Sequence, residues 1–147
     1  DLFETYDYLK TNEFDSIKFK FHDAGHILGS SIIEIEIEDK KLVFSGDLGN
    51  HPSPIVRAPE ILKDADYVFI ESTYGGITHE DKEIRLRKFK QAVYDVFNKE
   101  SVLLIPSFAL ERTQEIMFEL NNMVENGEIV PLRIFVDSPL ANKITNV

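Results

Sequence analysis

Ile17-Lys18-Phe19-Lys20-Phe21 and Ile33-Glu34-Ile35-Glu36-Ile37-Glu38 change from apolar to charged at every step. A period of two puts the apolar side chains of an extended chain on one face and the charged ones on the other, which predicts two half-buried β-strands. If these strands are neighbours, the lysines of the first face the glutamates of the second, and such surface pairs contribute only about 0.2–1 kcal/mol each. A polar turn from Glu38 to Lys41 leads into Leu42-Val43-Phe44. The first third of the chain is therefore expected to be antiparallel sheet, with His26 and Asp47 in loops at strand ends.

Beyond a loop containing Pro52, Pro54 and Pro59 the organisation changes. Tyr67 to Ile70 is a short continuous apolar run, which predicts a strand buried on both faces. Thr78 with Asp81 resembles a capping box, and Leu86, Phe89, Val93 and Val96 recur at helical spacing, predicting a helix from about His79 to Asn98. A strand at Val102 to Ile105 follows, then a helix with Leu110, Thr113, Met117, Leu120 and Val124 on one face and Gly127 as its stop. The last unit is a strand at Arg133 to Val136 and a helix starting at Pro139, capped by Ser138. Strand and helix alternate from residue 66 onward, so the chain is of the α/β class with a mostly parallel sheet in its second part. The change of pattern puts a boundary near Gly75 to Thr78.

An apolar fraction of 43% and an aromatic fraction of 11%, with no low-complexity tract, belong to a chain that packs a core. Its apolar runs are far shorter than the roughly 20 residues that span a bilayer, and Asp1 to Lys10 lacks the basic start and apolar run of a signal peptide. A cytoplasmic protein with no membrane partner is the expectation. The absence of cysteine excludes disulfides and thiolate zinc sites, so any metal must be held by histidine and carboxylate. The net charge of −10 runs against a nucleic-acid partner, which usually meets a basic face, although a bound metal adds positive charge locally. The chain opens on Asp1 rather than Met, as a piece of a longer protein would.

Two loops carry the chemistry. In Phe21-His22-Asp23-Ala24-Gly25-His26-Ile27-Leu28-Gly29-Ser30, the glycines allow sharp turns and close backbone approach, and His26 sits where a strand end fixes an imidazole. In Phe44-Ser45-Gly46-Asp47-Leu48-Gly49, a carboxylate lies between glycines directly after an apolar strand. Taken singly, a hydrogen-bonded turn histidine and an ordinary turn aspartate are the commoner outcomes. Together they supply the donor types zinc takes when cysteine is lacking, and a carboxylate can bridge two metals about 3.5–4 Å apart.

Ala24 to Ser30, Ser45 to Gly49 and Ile70-Glu71-Ser72-Thr73-Tyr74-Gly75 resemble three successive motifs of the β-CASP branch of the metallo-β-lactamase superfamily. That family includes ribonuclease J and the endonuclease that cleaves pre-mRNA 3′ ends. Ile105-Pro106-Ser107-Phe108-Ala109-Leu110-Glu111-Arg112-Thr113-Gln114-Glu115 and Asp137-Ser138-Pro139-Leu140-Ala141 resemble the opening βα units of the inserted β-CASP domain. The likeness runs from about residue 20 to the end of the chain.

The resemblance implies that residues 1–77 are the C-terminal half of a metallo-β-lactamase αββα sandwich, and that residues 78–147 are the first βα units of a Rossmann-like β-CASP parallel sheet. It makes His26 a ligand of one zinc, Asp47 the carboxylate bridging both zincs, and Glu71 the acidic partner of a catalytic histidine from much later in the chain. A carboxylate in that place fixes the tautomer of an imidazole and raises its pKa, helping it protonate a leaving oxygen. The implied activity is two-zinc hydrolysis of a phosphodiester in single-stranded RNA, held in a groove between the two domains.

His22 and Asp23 are candidates to support the ligands from behind, and Ser107 and Arg112 to contact phosphate near a helix N-terminus, where capping or salt-bridge roles are equally open. His51 and His79 match no ligand position and are better explained structurally. Glu111 stands where the family commonly has glycine. The His-x-His-x-Asp-His motif that supplies most ligands lies outside these residues, so the isolated chain is expected to bind zinc weakly and to cleave nothing. Exposed sheet edges and apolar faces favour a dimer or association with the remainder of the chain. Two rivals remain: a metallo-β-lactamase-fold hydrolase of a small ester or thioester, which would lack the Glu71 motif, and a non-catalytic scaffold subunit of an RNA-processing complex.

Overall fold

The structure, a computed structural model, describes residues 3–146. Among the described residues it is α/β, with one five-stranded mixed sheet and three helices, and the chain divides into two compact units, Asp1–Thr73 and Tyr74–Val147. No helix among the described residues is long and apolar enough to cross a membrane.

The first unit holds β1 (Asn12–Phe14), β2 (Ile17–Asp23), β3 (Ser31–Ile37), β4 (Lys40–Phe44) and β5 (Tyr67–Phe69), in that spatial order. The first three junctions are antiparallel and β4–β5 is parallel. The β1–β2 and β3–β4 hairpins turn through Asp15 (φ 53°) and Glu38 (φ 54°), left-handed residues of the kind that match a tight turn to strand twist. β2 and β3 are neighbours and the lysines face the glutamates: Lys18 lies opposite Glu36 and Lys20 opposite Glu34. β1 adds an edge strand that the alternation pattern does not announce.

Register and alternation sort the side chains by face. One face carries Phe19, Phe21, Ile33, Ile35, Leu42 and Phe44, and the other Lys20, His22, Ile32, Glu34, Lys41 and Val43. The tight core lies on the second. Ala24, Ile32 and Val43 are buried there, with Leu48, Leu62 and Ala65 from the chain between β4 and β5 packed on them. Glu34 is buried in this layer at 7% exposure, so its charge pairs are not the surface pairs that alternation suggests. Its carboxylate lies 3.8 Å from Lys20 Nζ, 3.7 Å from Lys41 Nζ and 3.3 Å from His22 Nε2, partners that offset the desolvation of a buried charge. The opposite, apolar face is only partly covered: Tyr6 meets Phe19 edge-on at 5.2 Å, and Phe44 stacks on Phe69 at 4.6 Å.

β5 corrects one expectation. It pairs with β4 on one side, and Tyr67, Val68 and Phe69 are each more than half exposed, so it is an edge strand and not a strand buried on both faces. An apolar run reports affinity for a core, but neighbours must be present to form it.

The second unit holds α1 (Lys82–Asn98), α2 (Arg112–Glu125) and α3 (Pro139–Thr145). Val93 of α1 packs with Leu120 and Met123 of α2 in a core flanked by Phe89, Ile116, Ile129 and Leu132. α1 begins later than the spacing predicts; Asp81 is its N-cap but accepts no capping bond, so the Thr78–Asp81 box does not form. α2 ends as expected at Gly127 (φ 68°), whose N–H donates to Val124 O at 3.0 Å while Glu128 N–H donates to Met123 O at 2.9 Å, a Schellman stop. Ser138 Oγ accepts from Ala141 N–H at 3.2 Å with Pro139 opening α3, also as expected.

The expected strands at Val102 to Ile105 and Arg133 to Val136 are absent; both segments are non-regular, and Val102, Leu104 and Phe135 are almost fully exposed. Parallel strands pair slightly less strongly than antiparallel ones, and an isolated pair is marginal without covered faces. The parallel pairing among the described residues is thus confined to β4–β5.

Candidate functional site

β2 and β4 both run antiparallel to β3, and β5 runs parallel to β4, so β2, β4 and β5 end at the same edge of the sheet. The three loops leaving those ends carry His26, Asp47 and Glu71.

The His26 loop is closed by its own side chains. Asp23 Oδ1 accepts from Gly25 N–H at 2.8 Å, and Ser30 Oγ accepts from His26 N–H at 3.1 Å and Ile27 N–H at 3.3 Å. Gly25 takes φ 62°, a conformation that disfavours a side chain. The Tyr8 hydroxyl donates to Ser30 O at 2.8 Å, tying the N-terminal segment to the same loop. His26 itself is exposed at the tip.

The Asp47 loop is fastened against it by backbone. Gly49 N–H donates to Ala24 O at 2.9 Å, and a Cβ on Gly49 would lie 1.6 Å from Gly25 O and 2.8 Å from His26 N. Only glycine permits this crossing. Gly46 (φ 54°) turns the chain out of β4, where a Cβ would come within 2.9 Å of Ser31 O. Asp47, between these glycines, presents an exposed carboxylate.

Glu71 links the ends of β4 and β5. Its Oε1 accepts from Leu48 N–H at 2.8 Å, its Oε2 from Thr73 N–H at 3.2 Å, and its own N–H donates to Ser45 Oγ at 3.0 Å. The hydrogen bond from the Thr73 side chain, then those from the Leu48 and Thr73 amides, with a smaller contribution from the charge of His26, hold its carboxyl below the usual range. Glu71 is therefore ionised at neutral pH.

The fold thus places the three motif residues on loops at one edge of the sheet, and histidine nitrogen with aspartate oxygen is the donor chemistry zinc accepts without cysteine. The kind of donor fits and the number does not: among the described residues no group of three or more His, Asp or Glu converges.

Other candidates lie elsewhere. His22 is buried on the sheet face, with Nδ1 3.0 Å from Glu60 Oε2 and Nε2 3.3 Å from Glu34 Oε2; it pins the segment at Glu60, whose N–H also bonds Asp23 O at 2.9 Å. In the second unit, Ser107 Oγ lies 3.0 Å from Thr113 Oγ1, and Arg112 Nη1 lies 2.7 Å from Glu115 Oε2. Glu111 is buried at φ 71°, a left-handed conformation that glycine adopts more readily than glutamate. His79 packs edge-on against Tyr74 at 4.6 Å, and His51 is exposed. Ser30, Ser45, Gly49 and Thr73 are the site-building residues that motif spacing alone does not single out.

No family model matches the chain. It is 37% identical to the endoribonuclease YSH1 of Kluyveromyces lactis, over all of this chain and 20% of that protein. It is 34% identical to the RNase J-like protein of Methanocaldococcus jannaschii, over 86% of this chain and 31% of that one. It is 32% identical to the cleavage and polyadenylation specificity factor subunit 3-I of Arabidopsis thaliana, over 97% and 21% respectively. The chain belongs to the β-CASP branch of the metallo-β-lactamase superfamily. It spans between 20% and 31% of the length of these relatives.

Proposed function

We propose that these residues are an internal part of a zinc-dependent ribonuclease that hydrolyses single-stranded RNA. The observation that carries this reading is the glycine crossing of Gly49 on Gly25, which holds the His26 and Asp47 loops side by side. His26 would offer one imidazole nitrogen and Asp47 a carboxylate able to face two metals. Bound there, a zinc pair would supply Lewis acidity toward a phosphoryl oxygen and a water made acidic near neutral pH. Glu71, ionised and bordering the same loops, would orient an imidazole donated from elsewhere in the protein and favour its protonated form. The names of the relatives, which are endoribonucleases and RNase-like proteins, support RNA as the substrate.

On this reading the five-stranded sheet is one half of an αββα sandwich, and residues 78–147 open the β-CASP parallel sheet. The half-covered apolar sheet face and the exposed apolar segments 102–105 and 133–136 support it. Those surfaces would be covered by the remainder of the chain or, in isolation, by a second copy. Ser107 and Arg112 are engaged by Thr113 and Glu115, and we assign both to bracing the first turn of α2, Ser107 from the segment before it and Arg112 from within it.

Asp47→Ala in the full-length protein is expected to abolish cleavage of a single-stranded RNA and to lower bound zinc, measured by metal analysis. An Asp47→Ala protein with full activity would overturn the assignment.

A further inference from the structure

We infer that Glu71 is a positioning residue for the Asp47 loop, acting as a hydrogen-bond acceptor on the backbone that follows Asp47. The inference rests on the reading of His26 and Asp47 as metal ligands, but the contact itself is independent of it.

Asp47 lies on a short loop that must hold an exposed carboxylate in one place. Gly46, directly before it, gives it no side-chain support and is left-handed. The loop is held at three points instead. On its far side, Gly49 N–H bonds Ala24 O at 2.9 Å. At its root, Ser45 N–H bonds Phe69 O at 2.9 Å, while Ser45 Oγ accepts from Glu71 N–H at 3.0 Å. Next to Asp47 itself, Leu48 N–H donates to Glu71 Oε1 at 2.8 Å. Glu71 therefore grips the loop twice, by its own amide at Ser45 and by its carboxylate at Leu48. Thr73 N–H on Oε2 at 3.2 Å keeps the carboxylate turned toward that task. Without this grip, the peptide joining Asp47 to Leu48 would rest only on the Ser45 and Gly49 ends.

A role in orienting a histidine needs the negative charge of Glu71, whereas the grip needs an acceptor oxygen. Glu71→Gln keeps an oxygen and removes the charge, and Glu71→Ala removes both. In the metal-free full-length protein, Glu71→Ala is expected to speed amide hydrogen exchange at Leu48 by about tenfold or more, as loss of a charge-assisted hydrogen bond should, while Glu71→Gln retains most of the protection. Zinc affinity by chelator competition is expected to fall about 10–100-fold in Glu71→Ala, the usual effect of losing a group that orients a ligand, and only a few-fold in Glu71→Gln.

Ser45→Ala removes the second grip with a smaller change in shape, and is expected to speed Leu48 exchange less than Glu71→Ala does. It serves as the readout if Glu71→Ala does not fold. The inference fails if Leu48 exchange is unchanged in both alanine variants, or if Glu71→Ala and Glu71→Gln lose zinc equally. If His26→Ala and Asp47→Ala bind zinc as the unaltered protein does, the ligand assignment fails instead, and Leu48 exchange still decides whether Glu71 holds the loop.

Discussion

Between Asn12 and Phe44 every strand finds a hydrogen-bond partner in the strand next along the chain, whereas between Lys82 and Thr145 the regular backbone pairing lies inside helices. The contrast follows from where partners are to be found. A hairpin closes through a short connection, two residues at β1–β2 and β3–β4 and seven at β2–β3, at small entropic cost, so β1 to β4 assemble from local sequence. A helix satisfies its backbone alone. A parallel strand does neither; it needs another strand reached through a long crossover, and covering layers on both faces. The apolar segments at 102–105 and 133–136 accordingly stay without regular pairing, although their composition is as strand-like as that of β4.

The largest expected effect tests the tightest point of the sheet unit. Gly49→Ala places a methyl group on the Gly25 backbone, which neither loop can accommodate without moving, and should cost about 3 kcal/mol or more in a denaturant unfolding experiment. A variant as stable as the original would show that the crossing of the His26 and Asp47 loops is loose. Next in size, Glu34→Ala removes a buried carboxylate and leaves His22, Lys20 and Lys41 without it, for an expected loss of about 2 kcal/mol. If that variant loses nothing, the charged face of the sheet contributes no more than a surface pair.

The helical unit should respond in the opposite way. Val102→Ser and Phe135→Ser are expected to change the stability of the 147-residue chain by less than about 0.5 kcal/mol, because both side chains already face solvent. In the full-length protein the same changes should cost about 2 kcal/mol each, as buried strand residues do. Equal effects in both proteins would erase the contrast between the units.

The smallest effect is a pH dependence. The carboxyl of Glu71 is lower in the folded chain than when unfolded, so its contribution is fully present above its ordinary value and is lost as pH falls through the folded one. Glu71→Gln should flatten the acid limb of the stability curve, followed by circular dichroism, and leave the neutral region's slope unchanged.

Much of this was legible in the residues. The alternation at 17–21 and 33–38 marks two strands, whose lysines and glutamates do face each other once paired, and Gly127 and Ser138 mark helix ends that are present. His26, Asp47 and Glu71 are recognisable as motif residues, but their proximity is not, because it arises from strand direction and from a backbone contact between Ala24 and Gly49. Nor does alternation say which face becomes the tight core: Ile32, Val43 and Ala24 lie with the charged ladder, and burial of Glu34 depends on Lys20 and His22 of β2 and Lys41 of β4. The edge position of β5 and the unpaired segments at 102–105 and 133–136 escaped for the same reason.

Local chemistry is written residue by residue, so sequence alone determined the alternating strands β2 and β3, the helix ends at Gly127 and Ser138, the donor types and the β-CASP motifs. Tertiary structure decided which loops touch, which face is covered and what Glu71 grips. Each of those depends on atoms distant in sequence meeting within hydrogen-bond or van der Waals reach, and no one-dimensional pattern records such a meeting.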